Sequence, residues 1–199
     1  MYVLGIVGGV ASGKSAVAQS LARRGAAVLD VDHVGHGVLL EPEVIAAFRQ
    51  RWGDAVIDAA GQVVRREVAR RVFGGDAAAT AERQFLDSVT HPRIRAHLRS
   101  QLGELQTAGT RVAVLDAALL YETGWNELCD GVLFVDAPHE VRKQRALTRG
   151  WTSEQFAARE ASQWPVEKKR TLATWILDNA GSAEESEPQV DSIWSEISK

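Results

Sequence analysis

A chain of 199 residues with 45% hydrophobic and 25% charged side chains has the composition of a soluble globular protein, which excludes disordered and collagen-like classes. At this length roughly 70% of the unfolded surface can be buried, so neither a disulfide nor a metal is needed to support a core. The net charge of −3 argues against a generic nucleic-acid or anionic-membrane binder, although the cations are 18 Arg against 5 Lys, a skew that coding bias and phosphate recognition would both produce.

The chain opens on an apolar run at residues 2–7 that leads directly into a glycine-rich segment. With no basic leader and no cleavage-site pattern, this run reads as a buried first strand and not as a secretory signal. Further short aliphatic runs occupy 27–31, 112–115, 131–135 and 175–177, each bounded by Gly, Asp or charge. Alternating with helical stretches, they predict an α/β fold with a five-stranded parallel sheet whose strands are buried on both faces. The interval between the second and third runs is far too long for one crossover. Residues 41–109, rich in helix formers and charge, are expected to form a helical insert divided by a loop at Gly74-Gly75-Asp76, with the core at 1–40 and 110–199. Trp164-Pro165 breaks a later helical stretch, and 182–188 reads as an acidic surface connection to a short last helix from Gln189. The lone Cys129 cannot form an internal disulfide, and no run reaches the 18 or so apolar residues of a membrane span, so a soluble, cytoplasmic protein is expected.

The first functional signal is Gly8-Gly9-Val10-Ala11-Ser12-Gly13-Lys14-Ser15, which fills every specified place of G-x-x-x-x-G-K-[ST]. It lies after a predicted strand and before an amphipathic helix that continues through Ala16 to Val17 and Leu21. Glycines there let successive backbone N–H groups turn inward around a phosphate, at the positive end of a helix. Lys14 can reach the β- and γ-phosphates, and the Ser15 hydroxyl is a candidate Mg²⁺ ligand, so a nucleoside triphosphate with Mg²⁺ is the expected ligand. No Asn-Lys-x-Asp run of the GTPase kind occurs in the chain. The 112–115 strand ends in a single acid, Asp116, followed by two alanines, unlike motor and transporter ATPases. Small-molecule kinases remain.

Such a kinase needs a carboxylate to orient the attacking hydroxyl and accept its proton. Asp30 and Asp32 end the second predicted strand two residues apart, and in extended chain both would face the same side, beyond the carboxyl edge where ligands bind. Asp32, further past the strand, is the better placed base; the alternative for Asp30 is to cap the next helix or end the strand. Asp116 could hold Mg²⁺ through water or serve as a turn residue. Over a helix at 141–149, Arg142, Arg145 and Arg149 fall within roughly 60° of one another. Such a stripe suits either a solvated face or a lid, at about 141–165, closing over a triphosphate. A helix at 64–73 would carry Val64, Val68 and Val72 on its apolar stripe with Arg65 and Arg71 at opposite edges, either of which could meet an anion. His91, before Pro92, has no acid or cysteine at metal-like spacing and reads as structural or as part of a substrate pocket.

Together these motifs resemble the dephospho-coenzyme A kinase family over nearly the whole chain. The phosphate loop is followed by Asp30-x-Asp32, by Gly61-x-x-x-Arg65 with Val72-Phe73, and by His91-Pro92-Arg93-Ile94. Leu119-Leu120-Tyr121-Glu122, the arginines Arg145 and Arg149, Gln163, and Leu177-Asp178-Asn179-Ala180-Gly181 complete the pattern. The resemblance implies phosphorylation of the ribose 3′-hydroxyl of dephospho-coenzyme A by ATP, with a helical insert holding the coenzyme. It implies Asp32 as base, Lys14 and Ser15 on phosphate and Mg²⁺, and Arg145 and Arg149 in the lid. Arg65, His91, Leu119 and Glu122 would lie on the acceptor side, and Asn179 by the adenine. A kinase for another nucleoside or nucleotide and a non-catalytic ATP-binding module are the alternatives. Val7, Ala11, Ala118, Arg142 and Thr174 stand where the family usually has Thr, Gly, Pro, Gln and Asp.

Overall fold

β1 (Tyr2–Gly8) is the middle strand of a five-stranded parallel sheet in the order β2-β3-β1-β4-β5, where β2 is Ala27–Asp30, β3 Val112–Asp116, β4 Gly131–Asp136 and β5 Trp175–Asp178. The helices are α1 (Lys14–Arg23), α2 (Val31–Val38), α3 (Pro42–Trp52), α4 (Arg65–Val72), α5 (Ala77–Thr107), α6 (His139–Thr148), α7 (Ser153–Ala161), α8 (Val166–Leu172) and α9 (Ala183–Ile197). This computed structural model describes residues 1–74 and 76–199, so Gly75 of the expected Gly74-Gly75-Asp76 loop lies outside the described residues.

Burial differs from the expectation at the sheet edges. β1, β3 and β4 are buried along almost their whole length, as aliphatic runs flanked by strands and covered by helices should be. β2 and β5 instead alternate with exposed residues, Val28 and Ile176 among them, because each is an edge strand. Leu4, Ile6, Val112, Val114, Leu133 and Val135 pack with Val17 and Leu21 of α1 and with Val190, Ile193 and Ile197 of α9. Polar contacts lock the same pair of helices: Glu187 accepts from Ser20 Oγ at 2.8 Å and from Arg24 Nη2 at 2.6 Å, and Arg24 also meets Asp191 at 2.6 Å. The helix that opens at the phosphate loop is thereby held against the sheet.

The chain divides into one unit of Met1–Asp30 with Gln101–Lys199, and a second of Val31–Ser100. The helical segment thus begins about ten residues earlier than expected. The second unit is centred on α3 and α5, where Phe48 packs at a tilt on Trp52 and Phe85, Trp52 meets Phe85 edge-on, and Trp52 Nε1 donates to Glu82 at 2.6 Å. α9 also begins earlier than expected, at Ala183. Ser182 and Glu185 form a reciprocal capping box, and Pro188 is accommodated inside the helix.

Candidate active site

The phosphate loop leaves β1 at Gly8 and enters α1 at Lys14 through backbone that only some residues tolerate. Gly13 has φ of +98° and supplies no side-chain cap; its carbonyl accepts from the Ala16 and Val17 amides at 3.0 and 3.2 Å, and the Lys14 and Ser15 amides before them open the helix uncapped by any side chain of Gly13. A Cβ on Gly13 would strike the Asn179 amide, and one on Gly9 would come within 2.7 Å of the Arg142 guanidinium, so the loop's neighbours require both glycines. Ala11, at φ 59°, occupies the left-handed region without being glycine.

What surrounds the loop is a set of donors aimed at its carbonyls. The Ser12 carbonyl accepts from Asn179 Nδ2 at 2.7 Å and from Arg145 Nη1 at 3.3 Å, and the Val10 carbonyl accepts from Arg142 Nη1 at 3.3 Å. Turning carbonyls outward onto cations and an amide gives those oxygens partners and directs N–H groups to the other side, which is the electrostatics of an anion nest.

The expected row of phosphate-facing arginines is therefore divided. Arg142 is only 4% exposed. Its guanidinium pairs with Glu160 of α7, donates Nε to the Ala137 carbonyl at 3.1 Å and lies over the Phe156 ring. The expectation that Arg142 binds the cofactor gives way to a brace beneath the loop, because the group is buried and its Nε and Nη1 donors are held by the Ala137 and Val10 carbonyls and Glu160. Arg145 reaches both the Ser12 carbonyl and the Gly181 carbonyl, the latter at 3.0 Å. Arg149 caps the end of α6 and is exposed. Asn179, expected beside the adenine, is buried with its amide on the loop.

The carboxyl edge of the sheet brings acids together by register: Asp30 pairs with Asp116, and Asp136 with Asp178. Asp136 is held by Arg170 at 3.1 Å, and Asp178 Oδ1 accepts from the amide of Ala180. Asp116 meets the phosphate-loop helix, where Ser15 Oγ donates to its Oδ2 at 3.2 Å. A hydroxyl beside a carboxylate is a hard-oxygen donor set that fits Mg²⁺.

Beyond Asp116 the chain turns through Ala117, Ala118, the partly exposed Leu119 and Leu120 to Glu122. Glu122 Oε1 pairs with Lys169 Nζ at 2.8 Å and accepts the amide of Trp164 at 2.8 Å, while its Oε2 is buried without a partner among the described residues. Lys169 is 1% exposed, and burial pushes its ammonium below the usual lysine range, the Lys14 charge acting in the same direction against Glu122. Removing one member of such a pair costs about 3–5 kcal/mol. Lys169 and Glu160 escape a sequence reading, because the charged runs around them look like solvated helix faces; only an odd buried lysine in an arginine-dominated chain hints at the first. Burial likewise pushes the Tyr121 phenol up to about 12 as its ring stacks parallel to Trp164.

β2 ends the first unit's opening segment at Asp30, and Val31, which opens the second unit, is already helical, so Asp32 lies in the first turn of α2. The expected extended pair is corrected: Asp32 is helical and not in extended chain, and its exposed carboxylate stands at a helix N-terminus that favours negative charge. The choice that helical geometry left open between Arg65 and Arg71 narrows. Arg71 Nη1 donates to its own helix at the Glu67 carbonyl, 2.7 Å away, whereas Arg65 is exposed with no hydrogen bond or ion pair among the described residues. His91 lies within α5 and meets Asp87 at 3.3 Å.

A phosphate loop after the middle strand of a 2-3-1-4-5 sheet, a serine–carboxylate pair and lid-like arginines define a P-loop small-molecule kinase. A profile of the family described as Dephospho-CoA kinase matches residues 2–185, and the chain belongs to that family. A dephospho-CoA kinase of Deinococcus radiodurans is 40% identical over 189 residues, covering 94% of this chain and 88% of the relative. One from Mesorhizobium japonicum is 40% identical over 201 residues, covering 99% and 97%. Among solved structures, Thermus thermophilus TT1252 superposes with a TM-score of 0.83 at 34% identity, over 100% of this chain and 98% of that one. A shikimate kinase of Bacteroides thetaiotaomicron, with a TM-score of 0.50 at 12% identity over 98% of each chain, shares the fold alone.

Proposed function

We propose that this chain transfers the γ-phosphoryl group of ATP to the ribose 3′-hydroxyl of dephospho-coenzyme A, giving coenzyme A and ADP. The observation that carries the reading is the phosphate loop whose Val10 and Ser12 carbonyls are drawn outward by Arg142, Arg145 and Asn179. That arrangement, in a member of this family, supports a triphosphate site that is ordered before ligand arrives. In the reaction a bond forms between the 3′-oxygen and the γ-phosphorus while the bond from that phosphorus to the β–γ bridging oxygen breaks. Asp32 takes the hydroxyl proton, and Lys14, with Arg145 and Arg149 of a lid built on α6 and α7, neutralises charge that spreads over the phosphoryl oxygens. Ser15, and Asp116 through water, would hold Mg²⁺, which when bound neutralises β- and γ-phosphate oxygens. Gly8 to Ala16 line the triphosphate, with Asn179 behind the loop. Arg65, His91 and Leu119 serve the acceptor, whereas Glu122, expected beside them, is committed to Lys169 and the Trp164 amide.

ADP release measured across a panel of acceptors tests this. Dephospho-coenzyme A should support turnover at least about 100-fold faster than adenosine, AMP or shikimate, since a polar pocket left unpaired by the wrong acceptor discriminates strongly. Equal rates with a second nucleoside or nucleotide would transfer the assignment to that acceptor. No transfer to any of them would leave an ATP-binding module.

A further inference from the structure

Lys169 has no role in the proposed phosphoryl transfer, yet it is the most deeply buried charge in the first unit, at 1% exposure. An ammonium has three N–H donors, and here each finds an acceptor: Glu122 Oε1 at 2.8 Å, the Ala118 carbonyl at 2.9 Å and Gln163 Oε1 at 3.0 Å. No donor is left over for a phosphate, so Lys169 does not act on the substrate directly. Its acceptors come from two stretches of chain. Ala118 and Glu122 belong to the turn that starts immediately after Asp116, and Gln163 precedes α8, which packs against β1 and β4. Two further contacts reinforce the junction. The Trp164 amide donates to Glu122 at 2.8 Å, and the Tyr121 and Trp164 rings lie 4° from parallel. The turn after β3 is thus fastened at residues 118, 121 and 122, and the residue at its root is the carboxylate that meets Ser15.

We propose that Lys169 is a positioning residue for phosphoryl transfer: by clipping residues 118–122 to α8 it fixes the exit of β3 and holds the Asp116 carboxylate beside Ser15, where the cation of MgATP is received. The clip has a second feature that suits this role. Glu122 balances the Lys169 charge within the turn, so the positive potential that the site directs at phosphate comes from Lys14 and the lid and not from the clip. The conformation of a short turn following a strand is otherwise set by its own backbone. Here the backbone closes the far end of the turn, with Thr123 N–H donating to the Leu119 carbonyl at 3.1 Å, and Lys169 Nζ holds its near end at the Ala118 carbonyl, two residues from Asp116.

The proposal rests on the assignment of Ser15 and Asp116 to Mg²⁺, and the test separates the two. Lys169→Met keeps the apolar stem and removes all three donors; Lys169→Arg keeps a charge and several donors. Rates are taken per nucleotide-binding site, counted by calorimetric titration with a non-hydrolysable ATP analogue, so loss of folded protein does not enter. In Lys169→Met, kcat should fall about 10- to 100-fold, the scale of a small misplacement of reacting groups. The Mg²⁺ concentration giving half-maximal analogue affinity should rise about fivefold or more, the loss of part of one charge-assisted contact. Affinity for the analogue without Mg²⁺ should stay within about twofold, and Lys169→Arg should recover most of both losses. Should the Met variant not accumulate folded, Glu122→Gln decides, with the same Mg²⁺ shift expected at about threefold. Unchanged Mg²⁺ dependence in whichever variant is measured overturns the positioning role. Wild-type binding and turnover that are indifferent to Mg²⁺ would instead overturn the Ser15–Asp116 assignment.

Discussion

Around the phosphate loop, Arg142, Arg145, Asn179 and Lys169 all have their donors on carbonyls or carboxylates of their own unit. In the unit of residues 31–100, Asp32 and Arg65 are exposed and make no hydrogen bond or ion pair among the described residues, although His91 there does meet Asp87. The contrast separates two ways of preparing a site. A group that is already paired contributes to folding and arrives in one geometry, so a phosphate meets a finished nest. A solvated group contributes little to folding, about 0.3–1 kcal/mol for a carboxylate such as Asp32 at a helix N-terminus, and is free to take whatever anion or hydroxyl is offered to it. Substitutions in the first unit should therefore register partly as stability, and those in the second almost wholly as kinetics.

Asp32→Asn should give the largest effect and bears most directly on this contrast. Removing a general base costs on the order of 1,000-fold in kcat, whereas an exposed surface substitution changes stability by less than about 0.5 kcal/mol. Turnover of dephospho-coenzyme A should therefore nearly vanish, while ATP affinity remains that of the wild type and the melting temperature falls by no more than about 2 °C. A variant that turns over normally removes Asp32 from the chemistry, and one that melts early shows that the carboxylate has a structural partner after all.

The next test sets one arginine from each unit against the other. Arg142→Ala leaves Glu160 without its main partner, the nearby His139 excepted, and opens the packing on Phe156. A loss of about 3 kcal/mol is expected, seen as a melting temperature lower by roughly 6–12 °C. Arg65→Ala should leave melting unchanged and raise KM for the acceptor about tenfold, the worth of one charge-assisted contact. If Arg65→Ala melts like Arg142→Ala, or if Arg142→Ala shows only a kinetic defect, the division between prearranged and uncommitted sides fails.

How much of the fold and the site is legible beforehand depends on the range of the interactions involved. Strand positions and the phosphate loop are local signals, a run of aliphatic residues or a fixed spacing of glycines, and they stand within a residue of where the pattern puts them. The burial of β2 and β5 is not local, since it depends on which strand becomes an edge. Asp32 shows the same limit at short range. An alternation that continues through Val31 cannot announce that the helix starts there, because Val is a good strand residue and the helix is set by the residues after it. Ser182 and Glu185, by contrast, are a legible capping signal that the acidic character of the segment conceals. Arg142 and Lys169 are the hardest cases. Each lies in a charged helical stretch that looks solvated, and only the arrival of Glu160, 18 residues on, and Glu122, 47 residues back, buries them.

Ala11 offers the smallest and most discriminating change. At φ 59° its Cβ is strained by about 1–2 kcal/mol, and glycine at that place would relieve the strain while adding up to about 1 kcal/mol of unfolded-state entropy. The net gain expected for Ala11→Gly is therefore about 0.5 kcal/mol, or roughly 1–2 °C in melting temperature. The kinetic consequence has the opposite sign. If the carbonyl contacts of Arg142, Arg145 and Asn179 alone arrange the loop, glycine leaves KM for ATP untouched. If the alanine side chain also narrows the loop's conformations, the more stable glycine variant will bind ATP about two- to threefold more weakly, because it must be ordered on binding. Calorimetry on the two proteins distinguishes these, and a gain in both stability and affinity would show that the loop is not prearranged in the way the donor contacts suggest.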